Sequence, residues 1–443
     1  MIVLKYDRGS VVAEGGPIPH GKLEARTGTY RAPAFRYGEI VSSLEKDSVE
    51  FRDEVYNGRP LKPLSTGIKL RDYQEESLRR WREAGRRGIV VLPTGAGKTV
   101  VALKAIQELG VTTLVVVPTL VLVDQWRERM EEEFGVRVGV LGGGSRTVGM
   151  LTVSTYDSSV LRADQVGNRF HLLIFDEVHH LPAASYRIIG LNYIAPYRLG
   201  LTATLRREDG AHVDLIDIVG EVVYEMGVDE LAGTHLSDYT VQTVQVPLYP
   251  EEQREYDRGF EVYRRFLRGR GIQIRSASDY QRFVRRSGRD PEARRALLAR
   301  NRAMDVAQNS SAKVEYLKRL LSEHSGEKTI IFTRNNKLVY RISREMLIPS
   351  ITHRTLRVER EEVLDGFRSG RYMRVVTSRV LDEGVDVPDA SLAVILSGSG
   401  STRQFIQRLG RVLRKREGKQ ARLVELVSQG TAETRLSRRR RGG

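Results

Sequence analysis

Two short segments carry side chains suited to phosphate chemistry. The first is Pro93-Thr94-Gly95-Ala96-Gly97-Lys98-Thr99. Its glycines let successive backbone N–H groups turn toward an anion, Lys98 can reach β- and γ-phosphate oxygens, and the Thr99 hydroxyl can ligate Mg2+. A helix starting there would add its positive end at the same point. The strict G-x-x-x-x-G-K-[ST] spacing is not met, because Leu92 stands where the first glycine would be. The second segment is Leu172-Leu173-Ile174-Phe175-Asp176-Glu177-Val178-His179. An apolar strand there would carry Asp176 to a sheet edge, where it can hold Mg2+ through water, while Glu177 orients and deprotonates an attacking water. His179 either relays the state of that site or is simply a packed histidine.

Such residues need a rigid frame, and the sequence predicts one twice. Between about 67 and 230, short apolar runs alternate with helical patterns. Strands are expected at Gly88–Leu92, Thr112–Val117, Val136–Leu141, Met150–Ser154 and Leu172–Phe175, with helices at Lys98–Leu109 and Leu120–Phe134. Continuous apolar strands separated by helices indicate a buried parallel sheet, hence the α/β class. The alternation returns from about 311, with strands expected at Thr329–Thr333, Arg374–Thr377, Leu392–Leu396 and Arg422–Leu426. Between the two lies 251–310, which holds fifteen Arg, no Lys and nine acidic residues, interleaved with Tyr256, Phe260, Tyr263, Phe266, Tyr280 and Phe283. It reads as a basic helical insert. The opening region has short β-like runs at Ile2–Tyr6, Ser10–Ala13 and Ser48–Val55, and Arg59-Pro60 and Lys62-Pro63 read as a linker. The expected organisation is a small mixed or β domain at 1–62, one ATPase domain at 63–230, a second at 231–437 carrying the insert, and a disordered basic tail at 438–443.

Bulk properties agree with that division. At 443 residues the chain exceeds one ordinary domain, and a prior of roughly 150 residues per domain gives about three. Lys and Arg number 72 against 56 acidic residues, a net charge of +16. That balance attracts polyanions, either nucleic acid or an acidic membrane surface, although arginine-rich composition alone gives the same sum. The absence of cysteine excludes disulfides, thiolate zinc, iron–sulfur clusters and a cysteine nucleophile. No apolar run approaches the roughly 18 residues of a membrane span, and MIVLKYDRGS lacks the apolar core of a signal peptide. A soluble intracellular protein is expected.

The chain resembles a superfamily 2 helicase of the D-E-x-H type, whose phosphate loop takes the shortened P-T-G-x-G-K-T form. That family has two tandem RecA-like ATPase domains. Leu70-Arg71-Asp72-Tyr73-Gln74 resembles its adenine-gripping segment, with Gln74 on the base edge and Arg71 beside it. Thr202-Ala203-Thr204 resembles the segment coupling hydrolysis to domain movement. Val117-Pro118-Thr119 and Ser154-Thr155-Tyr156 resemble segments that touch the nucleic-acid backbone, Thr119 and Thr155 being the contacts. In the second half, Ile330-Ile331-Phe332-Thr333-Arg334 resembles a phosphate-contacting strand end. Val376-Thr377-Ser378 and Gly384-Val385-Asp386-Val387-Pro388 resemble a segment touching both strand and nucleotide, with Gly384 and Asp386 on the nucleotide. Gln407-Arg408-Leu409-Gly410-Arg411-Val412-Leu413-Arg414 matches Q-x-x-G-R-x-x-R. Gln407 would face the nucleotide, and Arg411 and Arg414 share a helix face that can meet the γ-phosphate held by the first domain.

More narrowly, the chain resembles archaeal homologues of XPB, the repair and transcription helicase. Leu4-Lys5-Tyr6-Asp7-Arg8-Gly9 resembles the start of that family's damage-recognition domain. Arg207-Glu208-Asp209 stands where the family carries an R-E-D motif that acts on the DNA junction, and 251–310 fits its helical thumb. Ile351-Thr352-His353 fits as well. The resemblance implies ATP and Mg2+ as cofactors, DNA as substrate, 3′ to 5′ polarity, nucleotide excision repair, a separate nuclease partner and a place in the prokaryotic cytosol at the nucleoid. Two other readings stand beside it. An RNA-directed helicase usually has glycine where this chain has Leu413, and a basic nucleic-acid scaffold with a decayed ATPase would have lost Lys98, Glu177 or an arginine of the pair.

Overall fold

In the N-terminal region, alternating apolar residues make one face of a small sheet. The computed structural model describes residues 1–57, 63–205, 213–231, 239–378, 390–397 and 421–441, and the chain divides into two units, Met1–Leu231 and Ala232–Gly443. The first unit opens with β1 (Ile2–Asp7), β2 (Ser10–Glu14), β3 (Lys22–Glu24), β4 (Thr29–Pro33), α1 (Tyr37–Lys46) and β5 (Phe51–Glu54), in sheet order β3-β4-β2-β1-β5. Pairing is antiparallel except between β1 and β5. Helix α1 lays Tyr37, Ile40 and Leu44 over Leu4, Val11 and Ala13, and Ile194 from the following domain enters the same core. The last strand is shorter than expected, because Ser48 takes a positive φ of 53° and turns the chain before pairing begins.

The expected linker around Arg59 and Lys62 lies outside the described residues. Beyond it come α2 (Asp72–Glu83), β6 (Arg87–Val91), α3 (Lys98–Leu109), β7 (Thr113–Val117), α4 (Leu120–Phe134), β8 (Gly139–Gly142), β9 (Ser145–Thr147), β10 (Leu151–Thr155), α5 (Tyr156–Val166), β11 (Leu172–Asp176), α6 (Arg187–Asn192), β12 (Tyr197–Thr202), α7 (Asp214–Ile218), β13 (Val222–Glu225) and α8 (Val228–Leu231). The sheet order is β13-β6-β12-β11-β7-β10-β8-β9, parallel throughout except for the β8–β9 hairpin. Strands β7, β10 and β11 are buried along their whole length, as a sheet covered on both faces requires. Helix α4 ends at Gly135 in the left-handed region, and the chain must reverse there, so β8 begins later than the expected Val136.

The small domain is docked on this sheet by polar as well as apolar contacts. The Tyr6 hydroxyl lies 2.8 and 2.9 Å from the carbonyls of Ala163 and Asn192. The Tyr56 ring packs tilted against His171, with centroids 3.8 Å apart, and its hydroxyl meets Thr112 Oγ1 at 2.8 Å.

The second unit contains β14 (Tyr239–Val246), α9 (Pro250–Gly269), α10 (Ala277–Ser287), α11 (Pro291–Gln308), α12 (Ser311–Glu323), β15 (Thr329–Phe332), α13 (Asn336–Met346), β16 (Ser350–Ile351), α14 (Arg357–Ser369), β17 (Arg374–Thr377), β18 (Leu392–Ile395), β19 (Ala421–Ser428) and α15 (Ala432–Arg441). Its parallel sheet runs β14-β19-β18-β15-β17-β16. Strand β14 has no counterpart in the sequence reading. Polar residues alternate along it, and it occupies the sheet edge, paired only with β19 among the described strands. The tail reads differently from expectation too, because α15 runs through Arg438–Arg441. Its first turn is anchored by a buried ion pair between Glu433 and Lys313 at 2.5 Å, and arginine is itself a good helix former. Among the described residues, no helix is long and apolar enough to cross a membrane.

Candidate nucleotide and nucleic-acid site

A parallel sheet delivers the C-terminal ends of all its strands to one edge, which is where ligands bind in such folds. Along that edge of the first unit, Thr202 pairs beside Val91, Asp176 beside Leu201, Phe175 beside Val116, and Thr155 beside Val117. The phosphate loop follows β6, Thr202 ends β12, and the carboxylates end β11. Next along the edge, Thr119 follows β7 and Thr155 ends β10. Residues read as nucleotide ligands and residues read as strand contacts thus occupy adjacent halves of one edge.

The phosphate loop is held before any ligand arrives. Gly95 and Gly97 have φ of 85° and 80°, in the region where glycine carries no Cβ penalty. At Gly97 a side chain would also strike Gln74 Nε2, 2.4 Å from the ideal Cβ position. The Gln74 amide donates to Ala96 O at 2.9 Å and accepts from Arg71 N at 3.0 Å, and the Tyr73 hydroxyl donates to the same Ala96 carbonyl at 2.8 Å. The buried amide therefore buttresses the loop. Arg71 is exposed, with its guanidinium on the Tyr73 hydroxyl at 3.3 Å. Lys98 opens α3 and donates to the carbonyls of Leu92 and Pro93 at 3.1 and 3.3 Å, and Thr99 follows on the first turn, partly buried. Pro93 and Ala96 are buried and Thr94 is half-buried, so the loop's exposed point is Gly95.

Asp176 is buried, and burial pushes its carboxyl above the ordinary range, opposed by a hydrogen bond from Trp126 and by the nearby Lys98 ammonium. Its Oδ2 accepts from Trp126 Nε1 at 2.9 Å and its Oδ1 from Glu177 N at 3.0 Å. One acceptor site on each oxygen is thereby left over. Among the described residues, no group of three His, Cys, Asp or Glu could cage a metal. A single carboxylate and a threonine hydroxyl suit Mg2+, which keeps several waters and takes phosphate oxygens for the rest.

Glu177 sits at φ 51° and ψ 53°, a left-handed conformation that a non-glycine residue keeps only when its surroundings enforce it. That conformation turns its carboxylate toward His179 Nδ1 at 3.4 Å and Thr202 Oγ1 at 3.5 Å, while His179 Nδ1 and Thr202 Oγ1 lie 3.0 Å apart. The Thr202 hydroxyl donates to Thr204 O at 3.0 Å, and Thr204 N donates back at 3.2 Å. The single hydroxyl hydrogen of Thr202 is thus offered two acceptors, Thr204 O and the Glu177 carboxylate. His179 is fully buried, and it is packed and linked at once.

Thr119 and Thr155 are the N-caps of α4 and α5, accepting from Leu122 N at 3.3 Å and Ser158 N at 3.1 Å. Two helix N-termini therefore face the same edge, and such ends favour phosphate. In the second unit, Arg334 is exposed at the end of β15, its backbone N–H on Ser397 Oγ at 2.9 Å, and Thr377 ends the neighbouring strand β17. Arg207, Glu208, Asp209, Gly384, Asp386, Gln407, Arg411 and Arg414 lie outside the described residues.

The insert forms a three-helix unit whose aromatics point inward. Tyr263 and Phe283 are buried with Phe260, Phe266 and Tyr280 packed against them, and Tyr256 forms a second cluster near the base. Arg264, Arg270 and Arg300 lie over those rings at 4.7 to 6.0 Å, while Arg265, Arg268 and Arg282 are 72 to 80 % exposed. The base is fixed by Tyr256 OH accepting from Ala432 N and by Ser428 Oγ donating to Ala307 O. Asn335, next to Arg334, donates to Asp305 of α11 at 3.3 Å.

Trp126 was not singled out from the sequence, and Tyr73 and Tyr156 stood within quoted segments without a role of their own. Each lies on the buried face of a helix that starts at a motif, and that periodicity marks them only as core.

Comparison with known proteins agrees with this arrangement. Residues 4–55 match the family model of the Xeroderma pigmentosum group B helicase damage recognition domain, 67–207 that of the Type III restriction enzyme res subunit, and 312–416 that of the helicase conserved C-terminal domain. The chain is 44 % identical to DNA 3'-5' translocase XPB2 of Sulfurisphaera tokodaii over the full length of both. It is 31 % identical to the putative DNA 3'-5' helicase Rad25 of Halobacterium salinarum, over 98 % of this chain and 69 % of that one. It is 28 % identical to the XPB/SSL2 subunit of the general transcription and DNA repair factor IIH of Saccharomyces cerevisiae, over 89 % of this chain and 46 % of that one. In fold it is similar to the Pyrococcus furiosus Hef helicase domain, with a TM-score of 0.53 and 20 % identity over 83 % of this chain and 97 % of that one.

Proposed function

Because the chain belongs to the XPB family of superfamily 2 helicases, we propose that it is an ATP-driven DNA motor that translocates 3′ to 5′ and opens duplex for nucleotide excision repair. The observation that carries this reading is the shared edge of the first-unit sheet, where a phosphate loop and a carboxylate pair stand beside two helix N-termini.

In this mechanism the phosphates of ATP lie on the backbone N–H groups of Thr94–Thr99, with Lys98 turning from its own loop carbonyls to the β- and γ-phosphates. Gln74 and Arg71 meet the adenine, Gln74 through the second lone pair of its amide oxygen, since its nitrogen already donates to Ala96 O and lies 3.5 Å from the Tyr73 hydroxyl. Thr99 and Asp176 would hold Mg2+, which would supply charge neutralisation of the phosphates. Glu177 takes the proton of the attacking water. Its contacts to His179 and Thr202 connect the change of charge there to Thr204 and the segment beyond. Arg411 and Arg414, with Gln407, Gly384 and Asp386, take by family resemblance the role of nucleotide contacts from the second domain; such arginine fingers contribute about 10³–10⁵ in turnover in related phosphoryl transfer.

Thr119 and Thr155 form one grip on the DNA backbone and Arg334 and Thr377 the other, so a change in their spacing with each hydrolysis moves the strand. Because both grips hold phosphate, stepping is largely independent of sequence. Arg207, Glu208 and Asp209 act at the single-strand/duplex junction, and the outward arginines of 251–310 add affinity. A separate nuclease partner, and a place in the prokaryotic cytosol at the nucleoid, accompany this reading.

The test is ATP turnover with and without matched single-stranded DNA and RNA, paired with a polarity assay on DNA carrying a block at either end. DNA-stimulated turnover with 3′ to 5′ displacement is expected. Stimulation by RNA alone would make this an RNA motor, and DNA binding without turnover would make it a scaffold.

A further inference from the structure

We propose that Trp126, assisted by Tyr156, is a positioning residue through which DNA held by the first unit sets the orientation of the Asp176 carboxylate. The proposal rests on the reading of Asp176 as metal ligand and of Thr119 and Thr155 as strand contacts.

Trp126 lies on α4, is 2 % exposed, and places its indole Nε1 2.9 Å from Asp176 Oδ2. An indole N–H can only donate, so Trp126 neither competes for a metal nor takes a proton from the carboxylate. Its one hydrogen bond, together with that of Glu177 N to Oδ1 at 3.0 Å, fixes the rotation of the carboxylate and leaves one acceptor site on each oxygen. The donor reaches across strands: α4 follows β7, and Asp176 ends the adjacent strand β11. The helix that supplies it begins at the Thr119 cap. Seven residues along a helix span about 10 Å at about 1.5 Å each, so a strand pulling on the start of α4 pulls on the indole with it.

The second contact of that grip, Thr155, arrives at the same residue independently. Tyr156 follows the Thr155 cap, is 1 % exposed, and its hydroxyl lies 3.1 Å from the backbone carbonyl of Asp176. The helices capped by both first-unit strand contacts therefore each send one buried hydrogen bond to Asp176, α4 to its side chain and α5 to its backbone carbonyl. A purely structural tryptophan would be satisfied by any buried carbonyl, as Trp81 is by Arg198 O at 2.9 Å. Trp126 instead uses the carboxylate that the chemistry needs.

The experiment compares Trp126→Phe and Tyr156→Phe with the native chain, measuring binding of a fluorescent ATP analogue across a Mg2+ titration, with and without single-stranded DNA. DNA affinity is measured alongside. DNA is expected to lower the Mg2+ needed for half-maximal nucleotide binding in the native chain. Trp126→Phe should remove most of that effect, raising the Mg2+ requirement in the presence of DNA about tenfold, since a hydrogen bond to a charged group is lost. DNA affinity measured without nucleotide or Mg2+ should stay within about twofold, because the phosphate contacts that dominate it are untouched and the coupling is felt only when both ligands are present. Tyr156→Phe removes one oxygen only, and should reduce the DNA effect in the same direction with a smaller amplitude. Variants whose melting temperature falls while the DNA effect stays native would overturn the proposal. Lys98→Ala and Asp176→Asn serve as controls: if both keep native Mg2+-dependent nucleotide binding, the site reading fails and this proposal with it. If they lose it while both Phe variants behave as native, the coupling alone is wrong.

Discussion

At the scale of single residues, the carboxylate pair shows how backbone and side chain divide the work. Asp176 ends a strand in extended geometry and is held by two N–H donors, whereas Glu177 is turned into the left-handed region and so faces His179 and Thr202. The two neighbours therefore point to different tasks. Glu177→Gln preserves shape and the backbone N–H to Asp176 but cannot accept a proton. ATP binding should persist while turnover falls by about 10²–10⁴, the usual contribution of a general base. Equilibrium binding and single-turnover hydrolysis of radiolabelled ATP check both halves, and native turnover in the variant would place the base elsewhere.

At the scale of elements, two buried polar contacts hold neighbouring pieces in register. Lys313 at the start of α12 donates to Glu433 of α15 at 2.5 Å and to Leu396 O at 2.9 Å, and Glu433 accepts from Ser428 N at 2.9 Å. Lys313→Met strands a buried carboxylate and should cost about 3–5 kcal/mol, whereas adding Glu433→Leu should recover most of it. Urea unfolding of the three chains measures this, and a single variant as stable as native would show the pair to be neutral. At the joint between the small domain and the first sheet, burial pushes the His171 imidazole below its ordinary 6.5, with Asp53 opposing. The neutral form is thus the one the folded state prefers. Its stability contribution is complete above pH 6.5 and is lost as pH falls through the lower folded value. The melting temperature of the first unit should drop on acidification from about pH 7.5 to about pH 5, and less steeply in His171→Phe, which keeps the ring contact with Tyr56. Identical pH slopes in both chains would remove His171 as the cause.

At the scale of the whole molecule, a net charge of +16 gains meaning from where the arginines stand. In the 251–310 insert the aromatics are the core, so the affinity proposed for it rests on the outward guanidiniums rather than on stacking of bases. Replacing Arg265, Arg268 and Arg282 by Gln leaves that core intact. Each arginine that meets a phosphate should lower the slope of log affinity against log salt by about 0.9 on duplex and about 0.7 on single strands. Fluorescence anisotropy at several salt concentrations measures the slope, and an unchanged value would make the insert a structural element only. Exposed ion pairs with Glu261 and Asp279 do not remove these charges from play, since such pairs are weak in water.

Sequence alone named the residues proposed for the chemistry and the strands before Lys98 and through Asp176, but not β12, which ends at Thr202. Glycine spacing, a lysine at a helix start and acids after an apolar run are local patterns, and α3 and α4 begin and end at the residues their caps dictate. Periodicity was silent where partners come from far along the chain. It missed the polar edge strand β14, whose pairing with β19 is non-local, and it read Arg438–Arg441 as tail because the buried partner of Glu433 stands 120 residues away. The same holds for Trp126: a tryptophan on a helix face reads as core, and only the order of strands in the sheet places it beside Asp176. Local preference is written residue by residue, whereas a hydrogen bond between distant residues exists only once the sheet has chosen its neighbours.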